Sequence, residues 1–588
     1  MDLQQFYTDK LNNHNTKATR LKKQIRIIGL LRLFIFFSVS GLVYFFSDQL
    51  WSVISILVIG TGLFLVLLLK HLKLKQHLKL EKALKKINTD EIKIDSGNFH
   101  FKRDGLEFLD PNHAYCLDID LFGRGSFFQN LDRTETESGS VYLSLLLKEN
   151  RIDNIESRQR AIKELSEKAD WRQNYQATAS LLKTEQPIKT IINWLDTYQP
   201  KLPKFSLLLS YGFSLVFLVT LVLTIFKTID YSYIGYLLLI GLGISAMYLK
   251  AVSNLATYTS KIKDTFKQYS SLLELIEIED FESELLKTQQ KLISKNSEKA
   301  STIFKTFSKH LDALDNRNNM IGAIFGNGYF LNDLRNAYQI EQWISKHKNT
   351  VAHWFDVIAF FDAYQSLGTY TFNHTDFNFP KITEDKDRIL AKDLGHPLLK
   401  KGKRITSDLH IENEQFFIVT GANMAGKSTF LRTVSLHIVM ANMGLPVCAT
   451  KSTYYPTKLI TSMRTTDNLT DDSSYFFSEL TRLKYIVEAI KTENYFIILD
   501  EILKGTNSKD KAEGSKKFVQ KLVASNATGI IATHDLSLCT IEDELPEVKN
   551  YYFDAFIQND ELSFDYKFKK GICQNMNASF LLKKMEII

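Results

Sequence analysis

Three short stretches of this chain combine residue types that together suit phosphate chemistry. The first reads TGANMAGKST, from Thr420 to Thr429. Gly421 and Gly426 bracket Ala422, Asn423, Met424 and Ala425, and Lys427, Ser428 and Thr429 follow at once. This is the spacing of a phosphate-binding loop. Glycines let backbone N–H groups turn inward onto phosphate oxygens. Lys427 has the reach for the β- and γ-phosphates of a nucleotide, and Ser428 offers a hydroxyl to Mg²⁺. The second stretch is YFIILDE, residues 495–501, which ends in Asp500 and Glu501. Phosphoryl transfer to water is mostly positioning and charge neutralisation, so one carboxylate for the metal (Asp500) and one to orient water (Glu501) suffice. The third is His534, just past the apolar run Ile530 to Thr533. There it would face a γ-phosphate, although a packing or capping histidine would give the same pattern.

The elements that must hold these groups follow from the flanking pattern. Phe416 to Val419 reads as a buried strand, and Phe430, Leu431, Val434, Leu436 and Ile438 mark an amphipathic helix whose positive end meets the anion. From about Ile389 onward strands and helices alternate, which predicts an α/β layer with a mainly parallel sheet. In such sheets ligands bind at the carboxyl ends of the strands. Residues 371–395 are polar and contain Pro380, a plausible boundary. Upstream, residues 251–370 are helical by periodicity, and the aromatics Trp343, Trp354, Phe355 and Phe361 read as core. Residues 117–175 read as a turn and successive helices, one beginning near Leu131 and Thr134, another over Gly139 to Leu147.

Four apolar spans interrupt this soluble pattern: 27–46, 49–69, 205–226 and 231–249. Each approaches the ~20 residues a bilayer helix needs. They form two hairpins with very short turns, Ser47–Asp48 and Lys227 to Asp230, and only Arg32 places a charge within a span. Lys17, Arg20, Lys22, Lys23 and Arg26 precede the first span, and Lys70, Lys73, Lys75 and Lys79 follow the second. Lys201 and Lys204 precede the third, and Lys250 follows the fourth. The positive-inside rule then puts both termini and everything between the hairpins in the cytoplasm. The basic leader before the first span argues against a cleaved signal peptide. Buried helices of a large soluble protein are the competing reading. Residues 71–88 predict a basic helix, lying near anionic lipid or simply solvated.

Composition bounds the rest. A chain of 588 residues exceeds the ~250–300 that a single core supports. The net charge of +7 is small for this length and is only weak support for nucleic-acid binding. Cys116, Cys448, Cys539 and Cys573 have no CxxC spacing, which argues against a zinc site and a disulfide framework.

Several motifs resemble those of the MutS family of DNA mismatch repair ATPases. They are TGANMAGKSTFLR at 420–432, LGHPLL at 394–399, SSYFFSEL at 473–480, DEILKGTNSKD at 500–510 and ATHDLSL at 532–538. MANMGLPVCA at 440–449 resembles the family's strand after the phosphate loop, and 117–175 resembles the start of its helical core. Lys504 stands where the family usually has arginine. The resemblance implies an ATPase domain of the ABC-like branch that binds ATP and Mg²⁺ and dimerises. Ser474 would be presented to the partner's site, and Tyr566 would lie against adenine. Arg404 falls where an aromatic is common. No mismatch-reading segment is visible before residue 117, and the second hairpin interrupts the helical arms.

The expected fold class is therefore α plus α/β. It comprises a basic segment with a hairpin (1–90), the start of a helical core (91–204), a second hairpin (205–250), core and lever helices (251–385) and a phosphate-loop domain (386–588). The expected activity is ATP hydrolysis by a membrane-anchored homodimer, with Glu501, Lys427 and His534 catalytic and Ser428 and Asp500 on the metal. Gly421 to Thr429, with Ser474 and Tyr566, would hold the nucleotide. Lipid is an expected partner, and DNA is left open. The alternatives are a membrane-tethered DNA clamp without mismatch recognition and an ABC-type transport-associated ATPase.

Overall fold

A computed structural model describes residues 2–182, 186–294, 298–315, 320–422, 424–464, 475–558 and 561–574. The chain starts with two very long helices, α1 (Leu3–Phe45) and α2 (Leu50–Asp95), because it meets no proline and only a four-residue turn in this stretch. Asp2 starts α1 by accepting from the Gln4 N–H at 3.1 Å. The two helices pack along each other, with His14 Nδ1 2.7 Å from a Glu81 carboxylate oxygen. Their apolar ends stand free of the rest of the protein, with Tyr44 85% and Trp51 80% exposed.

A largely irregular stretch then leads into α3 (Phe127–Leu131), α4 (Glu137–Lys148), α5 (Ile155–Glu167), α6 (Ala169–Ser180) and α7 (Ile188–Thr197). The helix expected to begin near Leu131 and Thr134 is absent there: α3 ends at Leu131 and α4 begins after Thr136. The reason is local. Asp132 turns its carboxylate onto the Thr134 N–H at 2.8 Å, and the Thr136 hydroxyl caps α4 by accepting from Gly139 N at 2.9 Å.

The second apolar pair is α8 (Ser206–Ile225) and α9 (Ser232–Met247), followed after a sharp bend by α10 (Leu249–Thr259). Helices α11 (Lys263–Ile278), α12 (Glu284–Ser294), α13 (Ala300–Asp315) and α14 (Met320–Phe330) lead to α15 (Asn332–Asn373). With 42 residues, α15 is about 63 Å long at ~1.5 Å per residue. It is the pillar of the helical core: from Phe360 to Tyr370 every residue is buried. Asp362 on this pillar accepts from the Glu135 N–H (3.1 Å), the Thr136 N–H (2.8 Å) and the Thr136 hydroxyl (2.6 Å). Gly139 is obligatory beside it, since a Cβ would lie 2.2 Å from the Asp362 carboxylate.

By length and composition, α1, α2 and α8 are each long and apolar enough to cross a membrane. A fourth candidate exists only if α9 and α10, bent by 68°, count as one broken span. The four-span expectation thus reduces to three helices plus one conditional pair, because α9 has only 16 residues before the break at Tyr248.

The C-terminal part carries two main sheets. The larger has the order β12-β9-β4-β8-β7-β6. Its strands are β4 (Phe416–Gly421), β6 (Lys458–Ser462), β7 (Tyr495–Asp500), β8 (Thr528–Ala532), β9 (Val548–Phe553) and β12 (Lys569–Lys570). Every pairing is parallel except β12 with β9. Helices α16 (Lys427–Met443), α17 (Tyr475–Ala489), α18 (Ser508–Ala524) and α19 (Ile541–Glu544) lie between these strands in sequence. The second sheet, β1-β5-β2-β3, is mostly antiparallel and was not anticipated. It contains β1 (Lys381–Ile382), β2 (Asp387–Leu394), β3 (Ser407–Glu412) and β5 (Lys451–Tyr454), and a separate hairpin joins β10 (Ala555–Gln558) to β11 (Glu561–Phe564). The strand expected over 440–449 is instead the end of α16 and a loop. Gly444, at φ +82°, ends the helix, and the Arg158 guanidinium holds its last turn through the Asn442 carbonyl at 2.8 Å.

Candidate active site

Strand β4 is buried along its whole length between β8 and β9, so its exit point is fixed. Gly421 is needed there because a Cβ would sit 2.7 Å from the Phe553 carbonyl oxygen. The chain turns through Met424 at φ +68° and Gly426 at φ +103°, then enters α16 at Lys427. The Lys427 ammonium folds back on the loop. It donates to the carbonyls of Gly421 (2.9 Å) and Ala422 (3.1 Å) and lies 3.1 Å from His534 Nε2. Burial lowers its pKa, against the pull of Asp500 and Glu501.

The next residue, Ser428, donates its hydroxyl to Asp500 at 2.7 Å. Asp500 ends β7, and burial raises its pKa in spite of that hydrogen bond. Glu501 leaves the strand at φ +51°, with its N–H tied to the Ala532 carbonyl of β8 at 2.9 Å. Its carboxylate lies 2.8 Å from His534 Nε2. The hydrogen bond from His534 is the main cause that holds Glu501 down at about 2. Nε2 thus has two neighbours that exclude each other. With its proton it donates to Glu501; without it, it accepts from Lys427.

Glu479 on α17 is a contributor that the motif reading leaves without an individual role. Its carboxylate accepts from the N–H groups of Leu503 (2.5 Å) and Lys504 (3.1 Å), which fixes the turn after Glu501. A buried acid on an otherwise amphipathic helix was the available signal.

These groups open onto one cavity of about 640 Å³ at the carboxyl ends of β4 and β7. Ala422, Met424, Gly426, Lys427, Ser428 and Thr429 line it, with Asp500, Glu501, Lys504 and His534. Ala425 is fully buried beneath the loop, and Gly421 contributes its carbonyl, so neither of these two expected contacts faces the cavity. Tyr566 lines the far side with Leu399 and Ile405 and approaches Gly426 closely enough that a Cβ there would meet its ring at 3.1 Å. Arg404 does not line it; its guanidinium pairs with Asp376 at 3.2 Å and lies over Phe377. Asn423 and Ser474 lie outside the described residues.

Fold and site together define a helical protein with a C-terminal α/β domain that gathers a lysine, a serine, two carboxylates and a histidine where strands of a parallel sheet end. The family model for MutS domain V matches residues 417–584, the stretch that supplies nearly all of these groups, so this stretch is similar to that domain of the MutS family. The chain is 31% identical over 224 residues to MutS protein homolog 4 of Homo sapiens, covering 36% of this chain and 23% of that protein. It is 28% identical over 234 residues to the DNA mismatch repair protein MutS of Thermotoga maritima, covering 39% and 29%. With the protein of that name from Halothermothrix orenii it shares 33% identity over 227 residues, covering 37% and 24%. The matched stretch is therefore 23% to 29% of the length of these relatives.

Proposed function

We propose that this protein is a membrane-anchored ATPase of MutS type, which binds ATP with Mg²⁺ in the 640 Å³ cavity and hydrolyses it. One observation carries the reading: Lys427, the Ser428–Asp500 pair and the Glu501–His534 pair, drawn from three separate stretches of sequence, meet in that single space. The residues fit the ligand. Among the described residues, the Lys427 ammonium is held by loop carbonyls and a histidine nitrogen, groups that phosphate oxygens can replace. Ser428 and Asp500 would hold Mg²⁺, which neutralises phosphate charge when bound. The α16 N-terminus adds backbone N–H groups and the positive end of its dipole.

Glu501, ionised at neutral pH, orients and polarises the attacking water. When Lys427 moves to the phosphate, His534 Nε2 keeps Glu501 as its one partner and holds that carboxylate in place. Tyr566, Leu399 and Ile405 form the base side of the cavity. The site is completed in a homodimer by Ser474 of the partner subunit, following the family resemblance. The phosphate-loop domain, as the unit 386–588, drives the helical core, and α15 carries the motion toward the apolar helices.

Two apolar hairpins anchor the chain, with the ATPase domain on the cytoplasmic side. The exposed apolar surface of α1, α2 and α8 supports this, since an aqueous protein rarely leaves such a surface bare. DNA is the proposed substrate surface of the helical arms, in keeping with the names of the relatives. The test is steady-state ATP hydrolysis by the detergent-solubilised full chain, with and without plain, branched and mismatched DNA. Hydrolysis that Lys427→Ala abolishes supports the reading, and hydrolysis unaffected by Lys427→Ala contradicts it. DNA binding that weakens steeply with salt supports the DNA role, and no binding at low salt removes it. Retention of the chain in carbonate-washed membranes tests the anchor, and its release into the soluble fraction would refute it.

A further inference from the structure

Helix α14 contains no charged residue: its sequence is MIGAIFGNGYF. Its C-terminal half docks on the second apolar pair. The Phe330 carbonyl is 3.5 Å from the Ser214 hydroxyl and Tyr329 stacks on Phe217 at 4.2 Å, while Arg335 at the start of α15 lies over Tyr211. These contacts run along α8 to its middle. On the other side, Gly241 of α9 meets Gly328 so closely that a Cβ on Gly241 would lie 2.1 Å from the Gly328 carbonyl oxygen. Small residues that let helix backbones touch are the usual means of helix packing in lipid. Among the described residues, the N-terminal half continues beyond this contact with its large apolar side chains exposed: Met320 is 75%, Ile321 69% and Phe325 52% exposed. In water such a run would be an aggregation hazard.

We propose that α14 is a third membrane-embedded element, a short helix that enters the hydrocarbon beside α8 and α9 without crossing it. Lipid acyl chains cover Met320, Ile321, Ile324 and Phe325. This rests on the membrane reading of α8. The docking partners settle the choice of occupant, because Phe217 and Gly241 lie mid-helix, at hydrocarbon depth if α8 spans. Eleven residues make about 16 Å of helix, half of the ~30 Å core, so the element is embedded and not spanning. A helix is the form that can enter lipid, since its backbone groups are satisfied internally.

The placement has a mechanical consequence. After Leu331 at φ +48° the chain passes straight into α15, whose Asn327-capped start is fixed by a 2.9 Å bond from the Asp333 N–H. Further along, the buried Glu341 carboxylate accepts from the N–H groups of Lys201 (2.8 Å) and Leu202 (3.0 Å) at the root of α8. The pillar therefore grips the second hairpin both at its root and within the lipid.

The test uses the full chain in phospholipid vesicles, with single nitroxide labels at Ile324→Cys, Leu215→Cys on α8 and Lys305→Cys on the water-facing side of α13. The four natural cysteines are buried and label poorly. Collision rates with oxygen and with a water-soluble nickel chelate are measured at each site. The proposal expects the Ile324 label to match Leu215, oxygen-rich and nickel-poor, with Phe325→Cys giving the same pattern. If Ile324 matches Lys305 while Leu215 remains lipid-like, the α14 proposal fails and the anchor stands. Nickel access at all three sites would overturn the membrane reading itself. Shielding of Ile324 from both reagents would mean that protein, such as a second copy of this chain, covers the helix, and would overturn the lipid assignment.

Discussion

The cavity around Lys427 and the helical core bury polar groups in opposite ways. In the core, one buried ion pair is saturated by partners from distant segments. Arg133 makes a two-point contact with Glu91, with side chains only 2% exposed, and Asn373 donates to the same carboxylate at 2.7 Å while accepting from the Tyr7 hydroxyl at 2.6 Å. This one network ties α1, α2, the segment before α4 and the end of α15. Burial alone would raise the Glu91 pKa, but Arg133 overcomes it and holds Glu91 below the usual range. In the cavity, by contrast, Lys427 has no carboxylate hydrogen-bond partner among the described residues, and His534 Nε2 is contested by two neighbours. Saturated groups fasten segments together, and contested groups change partners when a ligand arrives. The comparison assigns holding to one region and chemistry to the other.

Substitutions should separate these roles. Glu501→Gln removes the carboxylate proposed to orient water, and hydrolysis should fall by about 10²–10⁴-fold, the usual share of a general base, with nucleotide binding retained. Steady-state rates and equilibrium binding on the same preparation check this. Glu91→Ala leaves the Arg133 charge buried without a counterion and should cost about 3–5 kcal/mol of stability, read as a lower denaturation midpoint. Equal destabilisation by Glu501→Gln would erase the distinction between the regions. Asp362→Ala orphans the Glu135 and Thr136 donors and should cost less, about 1–3 kcal/mol, in the same assay.

The smallest effect concerns pH. Glu501 is depressed from its ordinary 4.5 to about 2, so the unfolded chain binds its proton first as pH falls. The stabilisation from its folded-state contacts is complete above pH 4.5 and is lost between there and about 2. Between pH 4.5 and about 2, wild type should therefore lose stability more steeply than Glu501→Gln, read from denaturation midpoints. Parallel loss in that window would mean that folding does not depress Glu501.

What the sequence made legible was local. The spacing from Gly421 to Thr429 and the runs ending at Asp500 and at Thr533 announce strand ends, because parallel strands buried on both faces read as continuous apolar runs. The four-stranded second sheet was hidden because β1 has only two residues and β2 is broken by irregular register with β3. Two features were beyond local pattern. Glu479 holds the turn after Glu501 through Leu503 and Lys504, 24 and 25 residues away in sequence. The seating of α14 depends on Gly241 meeting Gly328, a contact between two separate apolar stretches. The helix start placed at Leu131–Thr134 was lost to side-chain capping by Asp132 and Thr136. The strand expected at 440–449 gave way to α16, which runs on until Gly444 allows its left-handed end.

The central claim is that Lys427, Asp500 and Glu501 serve one triphosphate. The most direct measurement is a structure of the Glu501→Gln full chain solved with ATP and Mg²⁺. The account predicts a triphosphate seated between Lys427 and the Ser428–Asp500 pair, with the Lys427 ammonium moved off the Gly421 and Ala422 carbonyls. Nucleotide bound elsewhere, or an unchanged Lys427 beside an empty loop at saturating ATP, would contradict it.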